Sequence, residues 1–155
     1  VEFSQEQRAA CARAAAICSR AETCAGDIQR KLEGWGLAKE AAIPVIDYLK
    51  EHGFIDDERF ARAYALDKFR FNGWGKQKIS FMLQAKGIGP EVQDAALAGI
   101  GDRAVADRLC RLLTVKAGSV RARDRYDLRR KLTRFALGRG FAMGEIATAL
   151  AEIGI

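Results

Sequence analysis

Three stretches of the chain share one skeleton: an apolar residue, three residues, an apolar residue, three residues, glycine, and an apolar residue. They are Ile28…Leu32…Gly36-Leu37, Ile79…Leu83…Gly87-Ile88 and Leu132…Ala136…Gly140-Phe141, with first anchors 51 and 53 residues apart. The four-residue step places both apolar residues on one helix face. The glycine supplies the left-handed conformation on which a helix reverses, and the apolar residue after it ties the turn to the core. Behind each glycine the helical period starts again, at Val45…Leu49, Val92…Ala96-Leu97 and Ile146…Leu150. Recurrence at a period of about 50 residues marks a tandem array. The expected fold is all-α, an elongated tandem array of three three-helix repeats at residues 1–54, 55–101 and 102–155. In such an array each repeat packs on its neighbours and leaves a long side on which several repeats act together.

Local signals fill in the helices. Ser4-Gln5-Glu6-Gln7 and Ser19-Arg20-Ala21-Glu22 both fit the capping box, predicting helix starts near residues 5 and 20. The first helix should run to about Cys18 and the second to Gly34. The third carries Ile43, Val45, Ile46 and Leu49 on its apolar face, takes Pro44 in its opening turn, and ends at His52-Gly53, where His52 faces the negative end of the helix dipole. In the middle repeat Asp56 and Asp57 open a helix with Phe60, Ala61, Tyr64 and Ala65 inward and the Lys68 stem closing the stripe. Asn72, Gly73 and Gly75 break it around Trp74. A second helix with Ile79, Met82 and Leu83 ends at Lys86-Gly87, and Gly89-Pro90 starts a third, since proline suits a first helical position. The last repeat predicts helices from about Asp102 to Lys116 and from about Arg123, the second with Leu128, Leu132 and Phe135 inward, then one using Ile146, Leu150 and Ile153.

The charge is unevenly spread. Residues 1–102 hold 14 basic and 15 acidic side chains, whereas residues 103–140 hold 12 and 3, a local excess of +9. A field of that size attracts polyanions or an acidic protein face. The candidate contact residues are the basic ones expected outside: Lys76, Lys78 and Lys86 in the middle repeat, and Arg121, Arg123, Arg125, Arg129, Arg130, Arg134 and Arg139 in the last. Arginine suits bidentate pairing with carboxylates or phosphates. Lys131 is set apart, because its stem can lie over Leu132. Phe69 and Phe71 are expected to be partly exposed beside Arg70, and Trp35 and Trp74 to serve packing.

Other chemistry has little material. Cys11 and Cys18 are seven residues apart, no C-x-x-C occurs, and His52 is the one histidine. The four cysteines therefore read as free thiols, and neither a metal nor any other cofactor is expected. One histidine cannot furnish an acid–base pair, and no serine or cysteine stands near a base, so an enzyme is not expected. Gly73-Trp74-Gly75 lacks the Gly-Lys-Ser/Thr ending of a phosphate loop. Helix capping accounts for Asp56 and Asp57 without a cation. No apolar run approaches the ~20 residues of a bilayer-spanning helix, and Glu2, Glu6 and Arg8 interrupt any export-signal pattern. These features point to a cytoplasmic protein with no membrane contact.

The run Ile55-Asp56-Asp57-Glu58-Arg59-Phe60-Ala61, followed by Tyr64, Arg70, Gly75, Ile79 and Leu83-Gln84-Ala85-Lys86-Gly87-Ile88, resembles the hallmark middle repeat of the RecX regulatory proteins. Lys131-Leu132-Thr133-Arg134-Phe135 with Arg139-Gly140-Phe141 is similar to that family's third repeat, and Cys18-Ser19-Arg20 through Trp35-Gly36 to its first. The turn Phe71-Asn72-Gly73-Trp74-Gly75 departs from the pattern, with bulky Phe71 and Trp74 around the expected glycine. The resemblance implies a non-enzymatic monomer of tandem three-helix repeats. Its partner would be the RecA nucleoprotein filament, whose groove it occupies, limiting filament extension and lowering ATPase and strand-exchange activity. The basic side would then face acidic RecA surface, with weak direct contact to DNA. The alternative from the same residues is a helical protein that binds DNA directly through phosphate contacts.

Overall fold

The computed structural model describes residues 2–155. Among them are nine helices and no strand: α1 Gln5–Arg20, α2 Ala25–Gly34, α3 Lys39–Glu51, α4 Asp57–Phe71, α5 Lys76–Ala85, α6 Pro90–Ala98, α7 Asp102–Ala117, α8 Arg125–Gly138 and α9 Met143–Glu152. They form three successive triplets, and each middle helix ends in the same way. Leu37 N–H donates to the Leu32 carbonyl and Gly36 N–H to that of Glu33; Ile88 and Gly87 repeat this with Leu83 and Gln84, and Phe141 and Gly140 with Ala136 and Leu137. Gly36, Gly87 and Gly140 have φ of 96°, 84° and 92°. This is the Schellman arrangement, with its apolar pair buried each time. The thrice-written skeleton is a thrice-built turn.

The chain divides into two compact units: one takes the residues up to Ala63 with Leu83–Gln93, the other Tyr64–Met82 with Asp94–Ile155. In the first, α1 and α2 pack on α3 around Cys11, Ala14, Ile28, Leu32, Val45 and Leu49. In the second, α7 and α8 pack on α9, burying Leu109, Leu113, Leu132, Phe141, Ile146 and Leu150.

The predicted start of α1 holds: Ser4 Oγ accepts from Gln7 N–H at 3.1 Å and Gln7 Oε1 from Ser4 N–H at 2.8 Å. Ser4→Ala is expected to cost about 1 kcal/mol in urea titration, the usual worth of such a cap. The second predicted box does not form. Ser19 lies within α1 and donates to the Ala15 carbonyl, while Glu22 pairs with Arg59 at 2.6 Å. Instead α2 starts at Ala25, whose N–H donates to Asp57 Oδ1 at 2.9 Å. A cap supplied from 32 residues away leaves no local signature.

Four packing expectations also change. Pro44 is the sixth residue of α3, beyond its opening turn; burial of Ala42, Val45, Ile46 and Leu49 on one face offsets the lost N–H donor. Ile43 falls off that face and is 50% exposed. α8 starts at Arg125, not Arg123, because Asp124 takes the cap by accepting from Asp127 N–H. Leu128 and Phe135 are only half-buried, and Leu132 with Ala136 line the inner face.

Each unit contains one joint of the same design. In the first, α2 begins against the turn after α5: Cys24 Sγ donates to the Lys86 carbonyl at 3.8 Å, and Lys86 Nζ reaches Asp27 at 2.8 Å. A Cβ on Gly26 would stand 2.3 Å from the Lys86 carbonyl oxygen. In the second, α5 begins against the turn after α8, with Gly75 N–H donating to the Arg139 carbonyl at 2.7 Å and Gln77 N–H to that of Gly140 at 3.1 Å. A Cβ on Gly75 would stand 2.4 Å from the Gly140 carbonyl oxygen, and one on Gly140 2.3 Å from Lys78 Cβ. Backbone meets backbone in both, so only glycine fits.

Candidate interaction surface

The arginine-rich face is organised by a carboxylate. Asp127, in the first turn of α8, is 2% exposed and accepts from Arg130 at 2.7 Å and from the Arg123 backbone N–H at 3.1 Å. Lys131 Nζ lies 3.2 Å away and Arg123 Nε 3.7 Å. The hydrogen bonds from Arg130 and from the Arg123 backbone outweigh burial and, with Lys131, hold this carboxyl well below the usual carboxylate range. The folded state thus binds fewer protons here than the unfolded chain. The cluster's contribution to stability is complete above the unfolded carboxylate pKa of about 3.9 and declines as pH falls below it. Urea midpoints measured against pH should fall in acid, and Asp127→Asn should lower the midpoint at neutral pH while flattening that acid limb.

The other predicted contact residues of this unit are placed as follows. Arg125 donates to the Gly154 carbonyl at 2.7 Å and Arg129 to that of Ile155; both are exposed. Arg139 donates to the Asn72 carbonyl at 2.9 Å and lies 5.0 Å from the Phe135 ring centre. Lys131 also donates to the Arg121 carbonyl at 2.6 Å, which pins the segment leading into α8. Among the described residues the side chains of Arg121 and Arg134 are exposed and have no partner. Lys76 and Lys78 are half-buried at the start of α5, with Lys78 Nζ 4.7 Å above the Trp74 ring. Lys86 belongs to the other unit, where Asp27 holds it. Asp27 is pushed up by burial, but hydrogen bonds from Lys86 and Arg30 win and lower its pKa.

Asp127 was not among the residues that the sequence singled out. Its signal was the spacing: a carboxylate three and four residues before Arg130 and Lys131 shares a helix face with them. Tyr126, 77% exposed beside these arginines, adds an aromatic to the basic face. Phe71 is exposed as expected, but Phe69 is buried, so the patch beside Arg70 has one ring, not two.

Comparison with known proteins follows the same residues. The family model for the second three-helix domain of RecX matches residues 56–97. The regulatory protein RecX of Chlorobium limicola is 34% identical over 117 residues, 76% of this chain and 69% of that protein. The chain belongs to the RecX family. The RecX proteins of Clostridium botulinum and Clostridium acetobutylicum are 31% and 33% identical over 81% and 70% of the chain, which spans 59% and 52% of their lengths. In fold, the crystal structure of RecX from Lactobacillus salivarius matches with a TM-score of 0.86 at 19% identity over 96% of both chains. A second RecX crystal structure gives 0.84 at 22% identity, over 96% of this chain and 71% of its own. The relatives are regulatory proteins by name, as the middle-repeat resemblance implied. Among the described residues no helix is long and apolar enough to cross a membrane.

Proposed function

We propose that this chain is a non-catalytic, monomeric, cytoplasmic regulator that binds RecA–DNA filaments and lowers their ATPase and strand-exchange activity by occupying the groove and limiting extension. Its working parts are three repeats, 1–54, 55–101 and 102–155. Family membership supports the regulatory role. The observation that carries the contact surface is the set of exposed arginines on α8 and its leading segment: among the described residues Arg121 and Arg134 are unpartnered, Arg123 lies exposed beside Asp127, and the guanidinium groups of Arg125 and Arg129 are held by backbone carbonyls yet solvent-exposed. Guanidinium groups held in place lose less freedom on meeting a carboxylate or phosphate than mobile ones. Arg130 beside Asp127, and Lys76, Lys78 and Arg139 at the joint between α5 and the end of α8, belong to the proposed surface, and Lys86 serves the other joint.

The test is RecA ATPase on single-stranded DNA with this protein added. A fall at substoichiometric amounts is expected, since contacts to successive subunits gain avidity. An unchanged rate at excess would remove the reading. Direct DNA binding is distinguished by salt titration on duplex without RecA, where log affinity should fall with log salt at about −0.9 per phosphate contacted.

A further inference from the structure

The joint of the first unit has an unoccupied counterpart. Glu6, Ala9, Ala10 and Arg13 of α1, with the turn Trp35-Gly36-Leu37, line a cleft of about 410 Å³. All of these positions but Arg13, whose counterpart is Tyr64, stand 51 residues before a position of the first unit that forms or adjoins the joint. Glu6 stands where Asp57 caps α2, Ala9 and Ala10 where Phe60 and Ala61 are buried, and Trp35-Gly36 where Lys86-Gly87 receives Gly26. The turn beside the cleft is also the same Schellman turn, with the same positive-φ glycine.

The differences suit an open site. Ala9 and Gly36 are exposed, a Cβ on Gly36 would meet nothing within 4 Å, and Glu6 makes no ion pair among the described residues. Where Lys86 offers its ammonium to Asp27, Trp35 cannot. The Arg13 guanidinium lies 4.1 Å above the Trp35 ring and brings a positive charge to that edge. A carboxylate for an incoming N–H, a cation for an incoming carboxylate and a turn with no side chain in the way are thus present together.

We propose that this cleft is a socket for the first turn of a helix from a partner protein, with a small residue at the second helical position and a free carboxylate at the third. That is the chemistry of Ala25-Gly26-Asp27, which the matching positions already hold inside this chain. Glu6 takes the leading N–H, the small residue passes the turn backbone, and Arg13 meets the carboxylate. A second copy supplies a poorer match. Its α8 starts with bulky Tyr126 at the second position, and in Met143-Gly144-Glu145 of α9 the carboxylate is spent on the Ala142 N–H at 2.8 Å. The proposal is independent of the filament reading.

The test uses the full chain and a lactam-stapled helical peptide carrying residues 22–34 of this sequence, followed by amide chemical shifts. Saturable shifts confined to the α1 face at residues 6–13 and the turn at 35–37 are expected. At least a tenfold loss of affinity should follow Ala9→Arg in the protein or Gly26→Val in the peptide. Absence of shifts at millimolar peptide, shifts elsewhere, or equal binding by the valine peptide would overturn the socket. Shifts of the same amides on concentrating the protein alone would make a second copy the occupant and overturn the assignment to a partner.

Discussion

Gly140→Ala is expected to destabilise the protein by about 3 kcal/mol, combining about 1–2 kcal/mol for a side chain in left-handed backbone with a similar cost for overpacking. Its added Cβ would stand 2.3 Å from Lys78 Cβ and 2.5 Å from Lys78 N, which cannot move without pulling the start of α5 off the Arg139 carbonyl. Gly36→Ala is the control. The backbone there is equally left-handed, at φ 96° against 92°, but the new methyl meets nothing within 4 Å. Strain alone should then cost about 1–2 kcal/mol. Urea midpoints of the two variants isolate the joint, and equal shifts would mean that the close backbone approach carries no energy.

The second large effect concerns binding. Arg121→Glu with Arg134→Glu reverses two exposed guanidiniums that hold nothing in place, so circular dichroism and thermal midpoint should stay near those of the parent. Filament ATPase inhibition should weaken at least tenfold, because each reversal replaces an attraction with a like-charge repulsion at the partner surface. Arg130→Glu makes an instructive contrast. It sets a new carboxylate against Asp127, so its loss of inhibition should come with loss of stability. Full inhibition by the Arg121/Arg134 variant would take this face out of the mechanism.

What the sequence disclosed, and what it hid, divides along contact range. The Schellman turns at Gly36, Gly87 and Gly140 were legible because all their determinants lie within six residues. The Ser4 capping box was legible for the same reason. The Ser19 box failed because its sequence pattern was met while both its side chains found other partners, Ala15 within α1 and Arg59 on α4. Asp57 looked like a cap for its own helix, yet Asp56 does that by accepting from Arg59 N–H, which frees Asp57 for Ala25. No periodicity shows that Gly26, Gly75 and Gly140 are pressed against backbone. Charge counting found the basic face but could not reveal which arginines are held by carbonyls, which by Asp127, and which are free.

The boundary between the compact units passes through α4 after Ala63, through α5 after Met82 and through α6 after Gln93. The stretch that carries the family signature is therefore divided between two bodies, with part of each of its helices in either. A peptide trimmed to residues 56–97 would keep the signature and lose the rest of both units in which its helices take part. Anyone dissecting this protein should place the scissors by burial, and expect the recognisable middle to be the first piece to melt.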